Sequence, residues 1–137
     1  MATHLIDKSA WVRLFEPSVR AAWEQAVISG RLAVTGVGML ETLVSARSSD
    51  EFRSVRRTFD LMPRVAVTEA IIERALDVQG EMVARGTHRA PSPADLILAA
   101  CAETNGLTVL HFDKDFDLIA EVTGQPMEWV APAGSVS

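Results

Sequence analysis

The chain has only one cysteine, Cys101, among its 137 residues. A single thiol cannot form an internal disulfide, and it argues against a cysteine-rich zinc site. Cys101 lies within an apolar run, residues 96–102, where a small buried hydrophobe is favoured over a nucleophile. The sequence therefore argues against a function based on thiol chemistry.

Long apolar segments are also absent. No run approaches the roughly 18 residues that a membrane span requires, and the N-terminus shows no basic stretch followed by an apolar core. These absences predict a cytoplasmic protein that does not enter a membrane. The length suits one domain with one core over residues 1–137, in which we expect 131–137 to form a flexible tail.

Positive charge is scarce, because 13 Lys and Arg residues face 18 Asp and Glu residues and leave a net charge of −5. This balance argues against a protein that coats nucleic acid non-specifically, since such binding neutralises phosphates with Lys and Arg. It is compatible with an enzyme that grips a few nucleotides locally. The mean hydropathy of +0.16 predicts that a partner or a second copy covers some apolar surface.

Short apolar runs alternate with helical patterns along the whole chain. Strands separated by helices in this way predict a parallel sheet covered on both faces, which is an α/β fold. The predicted strands are 4–6, 32–35, 64–67, 107–112 and 127–130, and the predicted helices are 8–15, 17–29, 36–47, 49–60, 68–85, 92–103 and 113–122. The helix over 68–85 is predicted to bury Ile71, Ile72, Ala75, Leu76, Val78, Met82 and Val83.

Two aspartates stand where predicted strands end. Asp7 follows the first strand, and Asp113 follows the strand over 107–112. Ligands of open parallel sheets bind beyond the carboxyl ends of the strands, where the strand order reverses, so both positions are functional candidates. Capping the following helix is an alternative explanation that suffices for either residue taken alone.

Two further acids lie on predicted helices. Residues 92–95 (Ser-Pro-Ala-Asp) fit a capping box, yet Asp95 is the only charged residue between Arg89 and Glu103, in a helix apolar enough to be buried on most sides. Glu41 lies in mid-helix beside the apolar stripe, and no cap explains it. The alternative interpretation of Glu41 is a side chain that extends from the edge of the stripe into solvent.

The four acids are more informative together. Carboxylates gathered at one end of a sheet repel one another unless cations bind between them. Oxygen ligands without His or Cys favour Mg²⁺ or Mn²⁺ over zinc. Such a site can activate a water and stabilise the leaving oxygen of a phosphodiester, as in two-metal nucleases. The residues therefore predict a divalent-metal nuclease site formed by Asp7, Glu41, Asp95 and Asp113.

Four blocks of sequence, in register, resemble the PIN-domain ribonucleases. They are Asp7-Lys8-Ser9-Ala10, Glu41 in the helix after the second strand, Pro93-Ala94-Asp95, and His111-Phe112-Asp113-Lys114-Asp115-Phe116-Asp117. Their order and spacing resemble the VapC-type toxins of bacterial type II toxin–antitoxin pairs over almost the whole chain. The resemblance implies a PIN-like three-layer α/β fold, with a central parallel sheet flanked by helices.

The resemblance also implies a function and a site. It implies Mg²⁺-dependent hydrolysis of RNA by a metal-activated water (with Mn²⁺ as a substitute), a homodimer, and inhibition by a cognate VapB-like antitoxin. Members cut different structured RNAs such as tRNA or rRNA, so the target stays open. By position, the catalytic and metal-binding quartet is Asp7, Glu41, Asp95 and Asp113, Asp115 is an additional metal ligand, and Ser9 is the supporting hydroxyl of the first aspartate. We interpret Asp117 as a solvated helix charge.

Basic and imidazole side chains near the acids are secondary candidates. Arg85, His88 and Arg89 flank the loop before the third acid, and we expect them to contact RNA. His4 and His111 lie on strands beside acidic positions, where a core or supporting histidine is favoured over a catalytic base. No glycine-rich phosphate motif is complete, so no nucleotide cofactor is implied.

Two other functions compete with the nuclease. A non-catalytic binding module of the same fold would keep the acids for structure or partner contact, and it predicts no binding of divalent metal. A phosphotransfer receiver or phosphatase also gathers acids at the ends of parallel strands. Those proteins usually need a paired acid near the first strand, whereas residues 7–9 offer only one.

Overall fold

The computed structural model describes the whole chain, residues 1–137. Five strands alternate with seven helices. The strands are β1 (His4–Ile6), β2 (Leu32–Thr35), β3 (Arg64–Val65), β4 (Thr108–His111) and β5 (Met127–Trp129). The helices are α1 (Lys8–Arg13), α2 (Pro17–Ile28), α3 (Gly36–Leu43), α4 (Ser49–Asp60), α5 (Glu69–Arg85), α6 (Pro93–Thr104) and α7 (Asp115–Thr123).

The five strands form one parallel sheet in the order β3-β2-β1-β4-β5. His4 of β1 pairs with Leu32 on one side and with Thr108 on the other, so β1 is the central strand. The chain first builds outward through β2 and β3, and it then returns to the other side of β1 with β4 and β5. The strand order thus reverses between β1 and β4, which is where open parallel sheets bind ligands.

Two apolar cores cover the two faces of the sheet. Successive residues of a strand point to opposite faces, and neighbouring strand residues accordingly belong to different cores. Leu5 and Val109 pack with α5, α6 and α7, whereas Ile6 and Leu110 pack with α1, α2 and α3. This helix–sheet–helix arrangement confirms the predicted three-layer α/β fold.

Most differences from the predicted boundaries lie at element ends. The helix predicted over 36–47 ends at Leu43, and the following residues Val44 and Ser45 are exposed, so no buried contact extends it. The strand predicted over 64–67 contains only two residues, because β3 is an edge strand that pairs with β2 alone. The last long helix begins at Asp115, two residues after the predicted start.

The predicted buried face of α5 is too wide. Ile71, Ala75 and Met82 are buried, but Leu76 and Val83 are 52% and 53% exposed. The main helix neighbours of α5 are α6 and α7, and together with the sheet they cover a narrower stripe than the apolar residues occupy. The prediction was therefore wrong for Leu76 and Val83.

The C-terminal residues 131–137 contain no helix or strand. Two of them, Ala131 and Val136, nevertheless pack partly against the core that contains Ile6 and Leu110. No helix of the protein has the length and apolar character needed to span a bilayer.

Candidate active site

Asp7 lies at the carboxyl end of β1 and caps α1. Its Oδ2 accepts two hydrogen bonds from Ser9, one from the backbone N–H at 2.9 Å and one from the hydroxyl at 2.6 Å. The residue is only 6% exposed. Both hydrogen bonds fall on one oxygen, so Oδ1 of Asp7 is left for a ligand. The capping role and a ligand role are therefore compatible in this residue.

Ser9 connects the ends of the two central strands. Its hydroxyl donates to Asp7 and accepts the backbone N–H of Phe112 at 2.9 Å, just beyond β4. The backbone N–H of Asp7 also donates to the carbonyl of Leu110 at 2.9 Å. Ser9 thereby fixes the carboxylate of Asp7 relative to the chain that leads to Asp113. The supporting role predicted for this hydroxyl is compatible with these two hydrogen bonds.

Asp95 occupies the third position of α6 in a capping box. Its Oδ2 accepts the backbone N–H of Ser92 at 3.0 Å, while its own N–H donates to the Ser92 hydroxyl at 3.1 Å. Burial, with a smaller contribution from the charges of Asp7 and Asp113, raises its pKa to about 6 against the opposing hydrogen bonds from Ser92. The capping interpretation is thus correct but incomplete, because the charges of two other acids of the predicted quartet also act on this carboxylate.

Glu41 reaches the site from α3, which follows β2. Thr35 caps this helix by accepting the N–H of Gly38 at 2.9 Å. A Cβ at position 38 would lie 3.2 Å from that hydroxyl oxygen, which is tighter than an ordinary contact, so the cap of α3 favours glycine at this position. Glu41 is partly buried in this position.

Asp7, Glu41 and Asp95 converge. Each offers a carboxylate oxygen, and the three oxygens lie within 4.8 Å of one another. None of the ion pairs within the chain involves these residues, so no side-chain cation neutralises the cluster. Opposite oxygens of one octahedral Mg²⁺ are about 4.2 Å apart. The donor set and its spacing therefore fit a divalent cation after small side-chain movements.

Asp113 lies outside this group of three but close to it. Its charge contributes to the raised pKa of Asp95. Its Oδ1 accepts the backbone N–H of Asp115 at 2.9 Å, which starts α7. The pKa of Asp115 is raised by burial and by the charge of Asp113, although Lys114 opposes this. Asp117 is exposed, in agreement with its interpretation as a solvated helix charge.

Arg13 is a residue of the site region that the sequence did not single out. Its guanidinium carbon lies 4.6 Å from the centre of the Phe112 ring, and Nη1 donates to the carbonyl of Ser9 at 3.1 Å. The spacing of four residues from Ser9, on one face of α1, is the signal that could have indicated it. Its approach to Phe112 depends on the packing of α1 beside β4.

The predicted RNA contacts do not all lie beside the acids. Arg85 donates to the carbonyl of Glu121 in the last turn of α7, whereas Asp115 lies in the first turn. The structure therefore does not bring Arg85 to the acids. His88 is partly buried and Arg89 is exposed in the loop that leads to α6.

The fold and the site define a class of protein. The family model described as PIN domain matches residues 4–122, and the chain belongs to this family. Its relatives include Ribonuclease VapC2 of Mycobacterium tuberculosis, 47% identical over 126 residues that cover 90% of this chain and 89% of that protein. Ribonuclease VapC51 of the same species is 40% identical, covering 97% of this chain and 96% of that protein. The resemblance stated from the four sequence blocks is confirmed.

Solved structures share the fold at low sequence identity. The VapBC structure from Salmonella typhimurium, bound to DNA, has a TM-score of 0.78 and 15% identity, covering 96% of this chain and all of the matched chain. The VapBC-5 toxin–antitoxin structure from Mycobacterium tuberculosis has a TM-score of 0.63 and 21% identity, covering 94% and 98%. At such identities the likeness concerns the fold alone.

Proposed function

We propose that this protein is a divalent-metal-dependent endoribonuclease that acts as the toxin of a toxin–antitoxin pair. The observation that carries the proposal is the convergence of Asp7, Glu41 and Asp95 within 4.8 Å without a neutralising side chain. Membership of the PIN family and the similarity to relatives named Ribonuclease VapC support RNA as the substrate.

The chain would bind Mg²⁺, or Mn²⁺ in its place, through the carboxylates of Asp7, Glu41 and Asp95, with Asp113 and Asp115 as further ligands at the same edge. When bound, such an ion lowers the pKa of water and stabilises negative charge on a phosphodiester. The chain itself orients the ligands: Ser9 holds Asp7 through two hydrogen bonds, and the capping box holds Asp95. One oxygen of each aspartate is left for binding.

Replacing single acids tests the proposal. We expect Asp7→Asn and Asp95→Asn each to reduce Mn²⁺- or Mg²⁺-dependent RNA cleavage by at least about 100-fold, because each removes a charged ligand but keeps the capping oxygen. Asp117→Asn is the matched control, since this aspartate is exposed on α7 near the site, and we expect it to cleave like the wild type. Cleavage of a labelled RNA and circular dichroism of each variant are the measurements.

A non-catalytic binding module makes the opposite prediction. It requires no binding of Mn²⁺ by titration calorimetry and no RNA cleavage by the wild type. Undiminished cleavage by a folded Asp7→Asn variant would likewise contradict the proposed site. Binding of Mn²⁺ that disappears in Asp7→Asn excludes the binding module.

The proposed partner is a VapB-like antitoxin. An apolar groove of about 360 Å³ lies between α1 and the segment from α3 to α4. Val12 and Phe15, which line it, are 46% and 66% exposed. We propose that an apolar segment of the antitoxin covers this groove, because solved structures with the same fold contain such partners. Leu76 and Val83, exposed on α5, are available for the predicted homodimer contact.

A further inference from the structure

His111 is a fully buried histidine at the end of β4, two residues before Asp113. Its ring packs between the rings of Phe116 and Trp129, with centroid separations of 5.0 Å and 4.9 Å. An apolar side chain would fill such a position without the cost of burying polar atoms. A histidine there calls for an explanation in terms of its ring nitrogens.

One ring nitrogen has a defined partner. Nδ1 of His111 accepts the backbone N–H of Asp113 at 3.2 Å. Because this nitrogen is an acceptor, the neutral ring carries its proton on Nε2, and Nε2 is buried without a partner in the chain. The hydrogen bond to Asp113 is therefore the polar interaction that the imidazole makes.

A second hydrogen bond continues from the first. Oδ1 of Asp113 accepts the backbone N–H of Asp115 at 2.9 Å. His111 thus fixes the backbone of Asp113, and the start of α7 fixes one oxygen of its carboxylate. These two bonds leave the second oxygen of Asp113 for a ligand, at the edge of the sheet where Asp7 also lies.

We propose that His111 is a positioning residue whose Nδ1 holds the turn after β4. The Asp113 carboxylate then faces the group of Asp7, Glu41 and Asp95 in a fixed orientation. The inference rests on the proposed function, since the orientation of Asp113 matters for activity only if the cluster binds metal. Partners that orient metal ligands typically contribute 10–100-fold to metal affinity or activity. We expect His111 to act in this range.

Two substitutions distinguish the contribution of the hydrogen-bond acceptor of His111 from the contribution of its aromatic ring. His111→Asn places an amide oxygen close to the position of Nδ1, so it can accept the Asp113 N–H, but it loses the ring. His111→Phe keeps the aromatic packing against Phe116 and Trp129 and loses the acceptor. His4→Phe is the control, because His4 lies at the start of β1 and binds Glu128 instead.

A positioning role and a merely structural role of His111 predict opposite orders of activity for the two variants. If His111 positions Asp113, His111→Phe lowers kcat and Mn²⁺ affinity about 10-fold or more with little change in KM, while His111→Asn stays within about 3-fold of the wild type despite a lower melting temperature. His4→Phe retains both kcat and affinity. If activity instead follows melting temperature, with His111→Phe the better variant, the positioning role is wrong.

A measurement on the wild type needs neither metal nor RNA. Long-range ¹H–¹⁵N correlation spectra distinguish the two neutral tautomers, and we expect His111 to carry its proton on Nε2. A proton on Nδ1 would overturn the inference, because that nitrogen could not accept the Asp113 N–H. Failure of the wild type to bind Mn²⁺ overturns the proposed function, whereas Mn²⁺ affinities that follow melting temperature overturn only the role of His111.

Discussion

Asp95 closes the capping box of α6 and belongs to the proposed metal site, and its protonation affects both. Burial, followed by the charges of Asp7 and Asp113, raises its pKa from 3.8 to about 6. Between these two pH values the folded chain holds a proton that the unfolded chain has released. The free energy of unfolding of the metal-free protein therefore falls as the pH rises through this window, as far as Asp95 is concerned.

We expect Asp95→Asn to lack this pH-dependent contribution. The amide can still accept the N–H of Ser92, so the cap is kept while the charge is lost. The melting temperature of the metal-free variant, relative to the wild type, should rise by roughly 3 °C between about pH 4 and about pH 7, which corresponds to about 1 kcal/mol after discounting for solvent screening. Differential scanning calorimetry across this range measures the change.

Metal provides the complementary measurement. A proton on Asp95 competes with a bound cation, so the Mn²⁺ affinity of the wild type should fall below about pH 6. Saturating Mn²⁺ above that pH should stabilise the wild type and leave Asp95→Asn unchanged. A difference in melting temperature that is constant with pH would contradict the raised pKa.

At this scale the sequence predicts which acids are candidate ligands better than it predicts the distances between them. Asp7 and Asp95 are predictable because each follows a recognisable strand end or cap. The convergence of Glu41 with them depends on how closely α3 approaches α6, and no local pattern encodes that distance. The spacing of Arg13 from Ser9 is a local signal, but its contact with Phe112 joins parts of the chain that are far apart in sequence.

At the scale of elements, two helical glycines behave differently. Gly80 lies inside α5, and an added Cβ would meet no atom within 4 Å. In α3 the corresponding Cβ at Gly38 would lie 3.2 Å from the Thr35 hydroxyl that caps the helix. Alanine is intrinsically better than glycine in a helix by about 0.8–1 kcal/mol. Only Gly80 has the space for an alanine side chain without a close contact.

We expect Gly80→Ala to increase the free energy of unfolding by about 0.5–1 kcal/mol. Gly38→Ala should give no increase, because crowding Thr35 weakens the cap that starts α3 and displaces Glu41. Urea denaturation of both variants, with Mn²⁺ affinity as a second readout, checks this. Equal stabilisation by both substitutions would show that the Thr35 cap tolerates a side chain at position 38.

The order and type of the elements follow from sequence pattern more reliably than their ends. All five strands and seven helices are predicted, because a stretch with helical spacing of its apolar residues, or a glycine, separates each apolar run from the next. The ends of α3 and β3 are not, since they depend on which neighbours are present: α3 ends where its buried contacts end, and β3 is short because it is an edge strand. The width of the buried face of α5 is misjudged for the same reason.

At the scale of the whole molecule, a small domain with positive mean hydropathy leaves apolar side chains in solvent. Phe15, in the turn after α1, and Ile28, at the end of α2, are of similar exposure, at 66% and 70%. Phe15 lines the groove between α1 and the segment from α3 to α4, whereas Ile28 does not. The pair therefore separates the effect of the groove from the effect of exposed apolar surface in general.

We expect Phe15→Asp to weaken binding of the cognate antitoxin about 10-fold or more, because an anchor in a groove contributes more than scattered contacts. Ile28→Asp should bind the antitoxin like the wild type, and both variants should cleave RNA normally when free, since neither residue contacts the acids. Titration calorimetry and cleavage assays measure these outcomes. Wild-type antitoxin affinity in Phe15→Asp would show that the groove is not the binding surface. A change in its sedimentation without antitoxin would instead assign the groove to a second copy of the chain.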